Sequence, residues 1–182
     1  MLNHYLSRIS IALLMLVIIQ PAWSDDYLPT PGAQIMAKVP AIAIKNAKQP
    51  FPGLLTGGQP SKAQLAEAKE KGYKTIISLR TRAETGEWDE EKTVQGLGMK
   101  YISIPIGGAS DLSSKNAKAL ISALSDPKDY PVMLHCASGN RIGALFAVDA
   151  GLNQNIAAEK ALQIGRDSGM TRLEPAVKKI LN

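Results

Sequence analysis

Residues 131–150 read PVMLHCASGNRIGALFAVDA, and this stretch constrains the fold more than any other. Pro131 to His135 is a short apolar run of strand length. Cys136 to Asn140 is small, mostly polar and interrupted by Gly139. Ile142 to Ala150 is an apolar helix by length and pattern. A continuous apolar run bounded by turn signals reads as a buried strand. A strand that passes through a tight loop straight into a helix is the building unit of parallel sheets, whose strands need helical crossovers.

The preceding sequence repeats the alternation. Leu54 to Thr56 reads as a short strand ended by Gly57-Gly58. Ser61 is placed to cap a helix over Lys62 to Lys71, and Gly72 to stop it. Lys74 to Leu79 is a strand, Glu87 to Leu97 a weakly amphipathic helix, and Tyr101 to Ile106 a strand limited by Pro105. Ser113 can cap a helix through Leu124, in which Ala117, Leu120, Ile121 and Leu124 recur at helical spacing. Two more helices are predicted over Ile156 to Arg166 and Leu173 to Leu181. The expected fold class is α/β, with a mainly parallel central sheet flanked by helices. Function in such folds sits at the carboxyl ends of strands. That places the loop after Leu134 at the centre of the functional reading.

The first 24 residues differ in kind. Met1 to Arg8 carries one Arg, Ile9 to Ile19 is unbroken apolar sequence, and small residues lie three and one before a cut after Ser24. That order is the pattern of a secretory signal. The apolar run is about half the roughly 20 residues that a spanning helix needs. An uncleaved membrane anchor is the alternative. The expected organisation is a signal peptide over 1–24, an N-terminal arm over 25–50 with a short strand near Ala41 to Ile44, and a single domain over 51–182. Export, to the periplasm, and no stable membrane insertion after cleavage follow from this reading.

Composition narrows the partners. Loss of Arg8 with the signal leaves 20 basic against 16 acidic groups. This excess suits anionic small substrates and falls short of a nucleic-acid footprint. One Cys and one His remain outside the signal, too few soft ligands for a metal cluster. No dinucleotide fingerprint is present, and no cofactor is expected.

The loop itself carries the chemistry. Cys136 lies at a strand end and faces the start of the next helix, where free amides and the helix dipole favour negative charge. A thiol so placed is favoured as the thiolate, the nucleophilic form. The amides of Ala137, Ser138, Gly139, Asn140 and Arg141 can curl into a nest for an oxyanion. Arg141 closes the loop, and its planar fork suits two oxygens of a phosphate. His135 is expected to order the loop by hydrogen bonds, and Ser138 to do the same or to donate to the thiolate. The plain alternative is an ordinary strand-to-helix turn with a buried Cys.

His135 to Arg141 (HCASGNR) resembles the signature loop of cysteine-based protein tyrosine and dual-specificity phosphatases. TGGQP at 56–60, IISLR at 76–80 and YISIP at 101–105 occur in the same order in small bacterial phosphatase-like domains. The chain most resembles the bacterial beta-lactamase hydrolase-like phosphatase-like family, over about Leu54 to Leu152. The resemblance implies a metal-free, two-step mechanism on a phosphorylated protein or small phosphoester. Cys136 attacks phosphorus, Arg141 and the loop amides hold the oxygens, an Asp protonates the leaving oxygen, and water releases phosphate. Asp111 is the best candidate for the acid, against an equal alternative as a helix cap beside Ser113. Asp89 is a weaker candidate, on an acidic helix face with Glu87, Glu90 and Glu91.

Two departures from the family pattern bear on turnover more than on anion binding. Four residues separate Cys136 from Arg141, one fewer than in the usual phosphatase loop, as in rhodanese-type sulfurtransferases. Ile142 stands where phosphatases carry Ser or Thr. A sulfurtransferase and a non-catalytic oxyanion-binding module are therefore the alternatives to a phosphatase. Elsewhere, Arg80 and Glu84 are expected to form a structural ion pair, and Gln59 and Pro60 to shape a turn.

Overall fold

The computed structural model describes Tyr27 and residues 39–84, 86 and 88–182. The expected signal peptide over 1–24 and much of the arm lie outside the described residues. Among the described residues, five strands form one sheet: β1 (Lys48–Phe51), β2 (Leu54–Gly57), β3 (Thr75–Ser78), β4 (Lys100–Ser103) and β5 (Val132–His135), in the order β1-β2-β5-β3-β4. Only the β1–β2 pair is antiparallel; β5 runs parallel to β2 on one side and to β3 on the other. The sheet is thus mainly parallel, as the alternation of elements predicts. The most apolar strand takes its centre, and every residue of β5 is buried.

Among the described residues, six α-helices accompany the sheet: α1 (Lys62–Glu70), α2 (Glu90–Gly96), α3 (Ser114–Ala123), α4 (Asn140–Val148), α5 (Ala158–Asp167) and α6 (Glu174–Leu181). Ser61 and Gln64 close a reciprocal capping box on α1, and Ser113 caps α3 through the Asn116 amide. Successive side chains of β5 point to opposite faces. Val132 and Leu134 join the core formed with α3, α4, α5 and α6; Met133 joins a smaller core with Leu65 and Ala68 of α1 and Val94 of α2. Among the described residues, no helix is long and apolar enough to cross a membrane.

Several boundaries differ from the sequence reading; the strand expected over Tyr101 to Ile106 is β4 and ends at Ser103, and the helix expected over Ile142 to Ala150 is α4, which starts at Asn140 and ends at Val148. Ala41 to Ile44 is not a strand; Ile42 and Ile44 are buried in the smaller core as irregular chain. The strand of this region is β1, whose Lys48, Gln49 and Pro50 give no apolar alternation. α2 begins at Glu90 rather than Glu87, because Asp89 accepts from the Lys92 amide and caps it. Tyr27 also reaches the larger core. Its ring meets Phe51 edge-on, Phe51 meets Phe146, and its hydroxyl donates to Asp149 Oδ2 at 3.1 Å.

Helix α4 is buried from Arg141 to Val148 and packs on α5 at contact distance. Gly143 makes that approach possible. A Cβ there would lie 2.3 Å from both the Gly165 oxygen and the Met170 nitrogen. In contrast, nothing lies within 4 Å of a Cβ on Gly96 in α2. Gly143→Ala is therefore expected to cost about 1–3 kcal/mol or more by overpacking. Gly96→Ala is expected to stabilise by about 0.5–1 kcal/mol through helix propensity. Urea unfolding midpoints of the two variants check both signs.

Candidate active site

The segment after β5 turns back on its own sulfur. The Cys136 amide donates to the Gly57 carbonyl at 3.2 Å, and the Gly139 amide donates to Cys136 Sγ at 3.1 Å. Gly139 makes this turn at φ 87° and stands at the N-cap of α4. Only glycine adopts that conformation without strain. Cys136 is buried, 1% exposed. A Cβ on Gly58 would lie 2.9 Å from the Ala137 carbonyl, so Gly57-Gly58 does more than end β2: it lets the loop lie close against the strand.

Ser138 and Asn140 are held from outside the turn. The Ser138 carbonyl accepts from Asn46 Nδ2 at 3.0 Å, and the sulfur's donor is the Gly139 amide rather than the Ser138 hydroxyl. Asn140 Oδ1 accepts from the amides of Thr171 at 2.8 Å and Leu173 at 3.3 Å, tying the loop to the segment before α6. The Asn140 side chain thus has a structural task, and its amide alone is left for an anion.

Arg141 is buried and its guanidinium is firmly oriented. Nη1 and Nη2 donate to the two carboxylate oxygens of Glu84 at 2.7 and 2.6 Å, and Nη1 also donates to the Ile106 carbonyl. The Glu84 carboxylate is itself held by the Thr81 amide at 2.9 Å and hydroxyl at 3.1 Å. This corrects the expected Arg80–Glu84 ion pair. Arg80 donates to the Glu84 carbonyl and, at 2.7 Å, to Gln59 Oε1, while the carboxylate serves Arg141. The pair occupies the terminal nitrogens. The Nε edge has no protein oxygen acceptor among the described residues, and Cys136 interacts with the guanidinium from the same loop. The Glu84 hydrogen bonds, opposed by burial and aided by the Cys136 sulfur, raise the affinity of Arg141 for its proton. In turn, Arg141 draws the Glu84 pKa down to about 2.

Among the described residues, the hydrogen bonds by which His135 is expected to order the loop are not formed by its ring. Its ring is buried, and Nε2 lies 3.0 Å from Glu90 Oε1 without an aligned hydrogen bond; Nδ1 has no hydrogen-bond partner. Glu90 is buried too, and accepts from Gln59 Nε2 at 2.8 Å and Tyr101 at 3.3 Å. Burial pushes the Glu90 carboxyl up, but its polar partners, His135 foremost, outweigh this and lower it overall. Glu90 is therefore no solvated member of an acidic face. Asp89, expected on that face, caps α2. Asp111 Oδ2 accepts from the Gly107 amide at 2.6 Å, in the turn that starts at Ile106. Ser113, not Asp111, caps α3.

A strand-ending cysteine, a left-handed glycine and a buried arginine thus share one turn at the carboxyl end of the central strand. The profile of the family described as "DSP-PTPase phosphatase fused to NAD+ Kinase" matches residues 42–172. The chain belongs to this phosphatase family. A beta-lactamase hydrolase-like protein of Agrobacterium fabrum is 26% identical over 120 residues, covering 64% of this chain and 27% of that one. A protein of the same description from Xylella fastidiosa is 25% identical over an equal length. The chain spans about a quarter of the length of these curated relatives. Among solved structures, the core catalytic domain of the PP-IP phosphatase SIW14 from S. cerevisiae, in complex with citrate, superposes with a TM-score of 0.57 at 15% identity. It covers 79% of this chain and 89% of its own. P. aeruginosa TpbA superposes with a TM-score of 0.56 at 17% identity, over 79% and 89%. These structures share the fold of this phosphatase-family domain.

Sequence reasoning missed Glu84 as the partner of Arg141, and Glu90 and Gln59 as the surroundings of His135. A guanidinium buried in a loop needs a carboxylate, which is the signal that could have prompted a search. The choice between Glu84, Glu90 and Glu91 needs the fold. Because the folded-state pKa of Glu84 is depressed, its ion pair stabilises the fold above the ordinary carboxylate range and loses that contribution as pH falls toward about 2. The stability gap between the wild type and Glu84→Gln is thus expected to be constant near neutrality. It should close as pH drops from about 4.5 toward 2, in denaturant titrations at several pH values.

Proposed function

We propose that the protein is a cysteine-dependent phosphatase that hydrolyses phosphomonoesters through a phosphocysteine intermediate. One observation carries the reading: Cys136 and Arg141 bracket one turn whose Gly139 amide reaches the sulfur, and Glu84 holds the Arg141 guanidinium by its terminal nitrogens. In the first step the Cys136 thiolate bonds to phosphorus as the ester P–O bond breaks. Asp111 gives its proton to the departing oxygen. Arg141 and the amides of the turn take the negative charge on the remaining oxygens, where fixed dipoles act without reorganisation. In the second step water attacks phosphorus, Asp111 recovers a proton, and the S–P bond breaks to return thiolate and inorganic phosphate. With Ile142 in place of a hydroxyl, the Gly139 amide is the donor that receives the departing sulfur. The leader pattern of residues 1–24 supports action in the periplasm.

The four-residue spacing favours one second reading, in which Cys136 carries a persulfide sulfur. Transfer from thiosulfate to cyanide tests it. For the phosphatase reading, hydrolysis of p-nitrophenyl phosphate is expected and should vanish in Cys136→Ser. Arg141→Lys keeps the charge but loses the planar fork, and kcat/KM should fall by about 10²–10³. Asp111→Asn should slow alkyl phosphates by about 10² or more, and p-nitrophenyl phosphate much less, since its leaving group needs little protonation. Unchanged turnover in Arg141→Lys would contradict the oxyanion role.

A further inference from the structure

Gln59 does more than shape a turn. It leaves β2 directly beside the Cys136 turn: the Gly57 carbonyl accepts from the Cys136 amide at 3.2 Å, and Gly58 pairs with Ser138 in an isolated bridge. Its side chain then lies between two groups that support that turn. Gln59 Oε1 accepts from Arg80 Nη1 at 2.7 Å. Gln59 Nε2 donates to Glu90 Oε1 at 2.8 Å and to the Pro60 carbonyl at 3.2 Å. Each end of the amide leads on to one end of the turn. Glu90 Oε1 lies 3.0 Å from Nε2 of His135, the residue before Cys136. Arg80 donates through Nη2 to the Glu84 carbonyl, and the Glu84 carboxylate holds both terminal nitrogens of Arg141.

The position calls for an amide. A carbonyl oxygen meets the guanidinium, an NH2 group meets the carboxylate, and both N–H donors are used. A Glu there would keep Arg80 but face Glu90, and a Lys would face Arg80. An apolar side chain would leave both neighbours short of a partner. Arg80 has little else to hold it. Its Nε is buried without a partner, and Gln59 is its only side-chain acceptor among the described residues. Loss of Gln59 thus loosens the hold of Arg80 on the Glu84 backbone, and with it the carboxylate that orients Arg141. We infer that Gln59 is a positioning residue of the site, coupling the support of the Cys136 end of the turn to that of the Arg141 end. The inference rests on the phosphatase reading for its kinetic consequence, but alkylation of Cys136 gives a readout that needs no turnover.

The test is the hydrolysis of p-nitrophenyl phosphate by the full chain. Gln59→Met is expected to lower kcat about tenfold or more with KM within about twofold, since a misoriented Arg141 weakens contacts made chiefly in the transition state. Gln59→Glu should lose activity as well, because two carboxylates then face each other. Adding Glu90→Gln to that chain should restore most of the loss by returning an amide to the pair. A kcat unchanged in both single variants, a loss confined to KM, or a double variant no faster than Gln59→Glu overturns the inference. If no ester is hydrolysed, the phosphatase reading fails separately and iodoacetamide decides. The midpoint pH of Cys136 alkylation is expected to rise by about half a unit or more in Gln59→Met, as the thiolate loses part of its neighbouring cation. An unchanged midpoint overturns the assignment. If Gln59→Met does not fold, Gln59→Glu with and without Glu90→Gln carries both readouts by the same contrast.

Discussion

The carboxylate of Glu84 and the guanidinium of Arg141 hold the site in its working shape. Desolvation offsets part of the attraction in such a pair, so its stabilising effect is smaller than the Coulomb energy suggests. Its value is geometric. Two short hydrogen bonds donated to Glu84 and one donated to the Ile106 carbonyl fix the rotation of a side chain that otherwise has several rotatable bonds. A guanidinium has five N–H groups. With the terminal nitrogens committed to the protein, the Nε edge is the part left to meet an anion. The arginine is thus oriented before substrate arrives, which reduces the reorganisation needed during the reaction.

The backbone supplies the other half. β5 is buried on both faces between β2 and β3, so the turn that follows it starts from a fixed position. Gly139 supplies the left-handed step that brings its amide onto the sulfur, and Gly58 lets the Ala137 carbonyl lie against the strand. Asn46 and Asn140 hold the turn from two sides. Gly143 and Gly165 bring α4 and α5 to backbone contact, which seats the helix whose amino end forms the turn.

Much of this was legible in the sequence, for physical reasons. Buried parallel strands are continuous apolar runs, so β3 and β5 stand out, and Ser61 and Ser113 mark helix starts by a local hydrogen bond. The Cys136–Arg141 turn is local as well: strand, glycine and arginine fall within a few residues. What stayed hidden depends on distant contacts. Glu84 is near Arg80 in the chain, yet its carboxylate turns to Arg141, 57 residues away in sequence. Glu90 looks like one of several acids on a surface helix, and only packing against His135, Gln59 and Tyr101 sets it apart. Lys48 to Phe51 has no apolar alternation and becomes a strand because β2 offers it an edge, while Ile42 and Ile44 fill core space without joining the sheet.

The most direct measurement is a crystal structure of the full chain with bound tungstate. The account predicts the oxyanion above Cys136 Sγ, with two of its oxygens on the Nε edge of Arg141 and the others on amides of residues 137–141, and with Glu84 still on the terminal nitrogens. Tungstate bound elsewhere, or an Arg141 that reaches it only by releasing Glu84, would contradict the account.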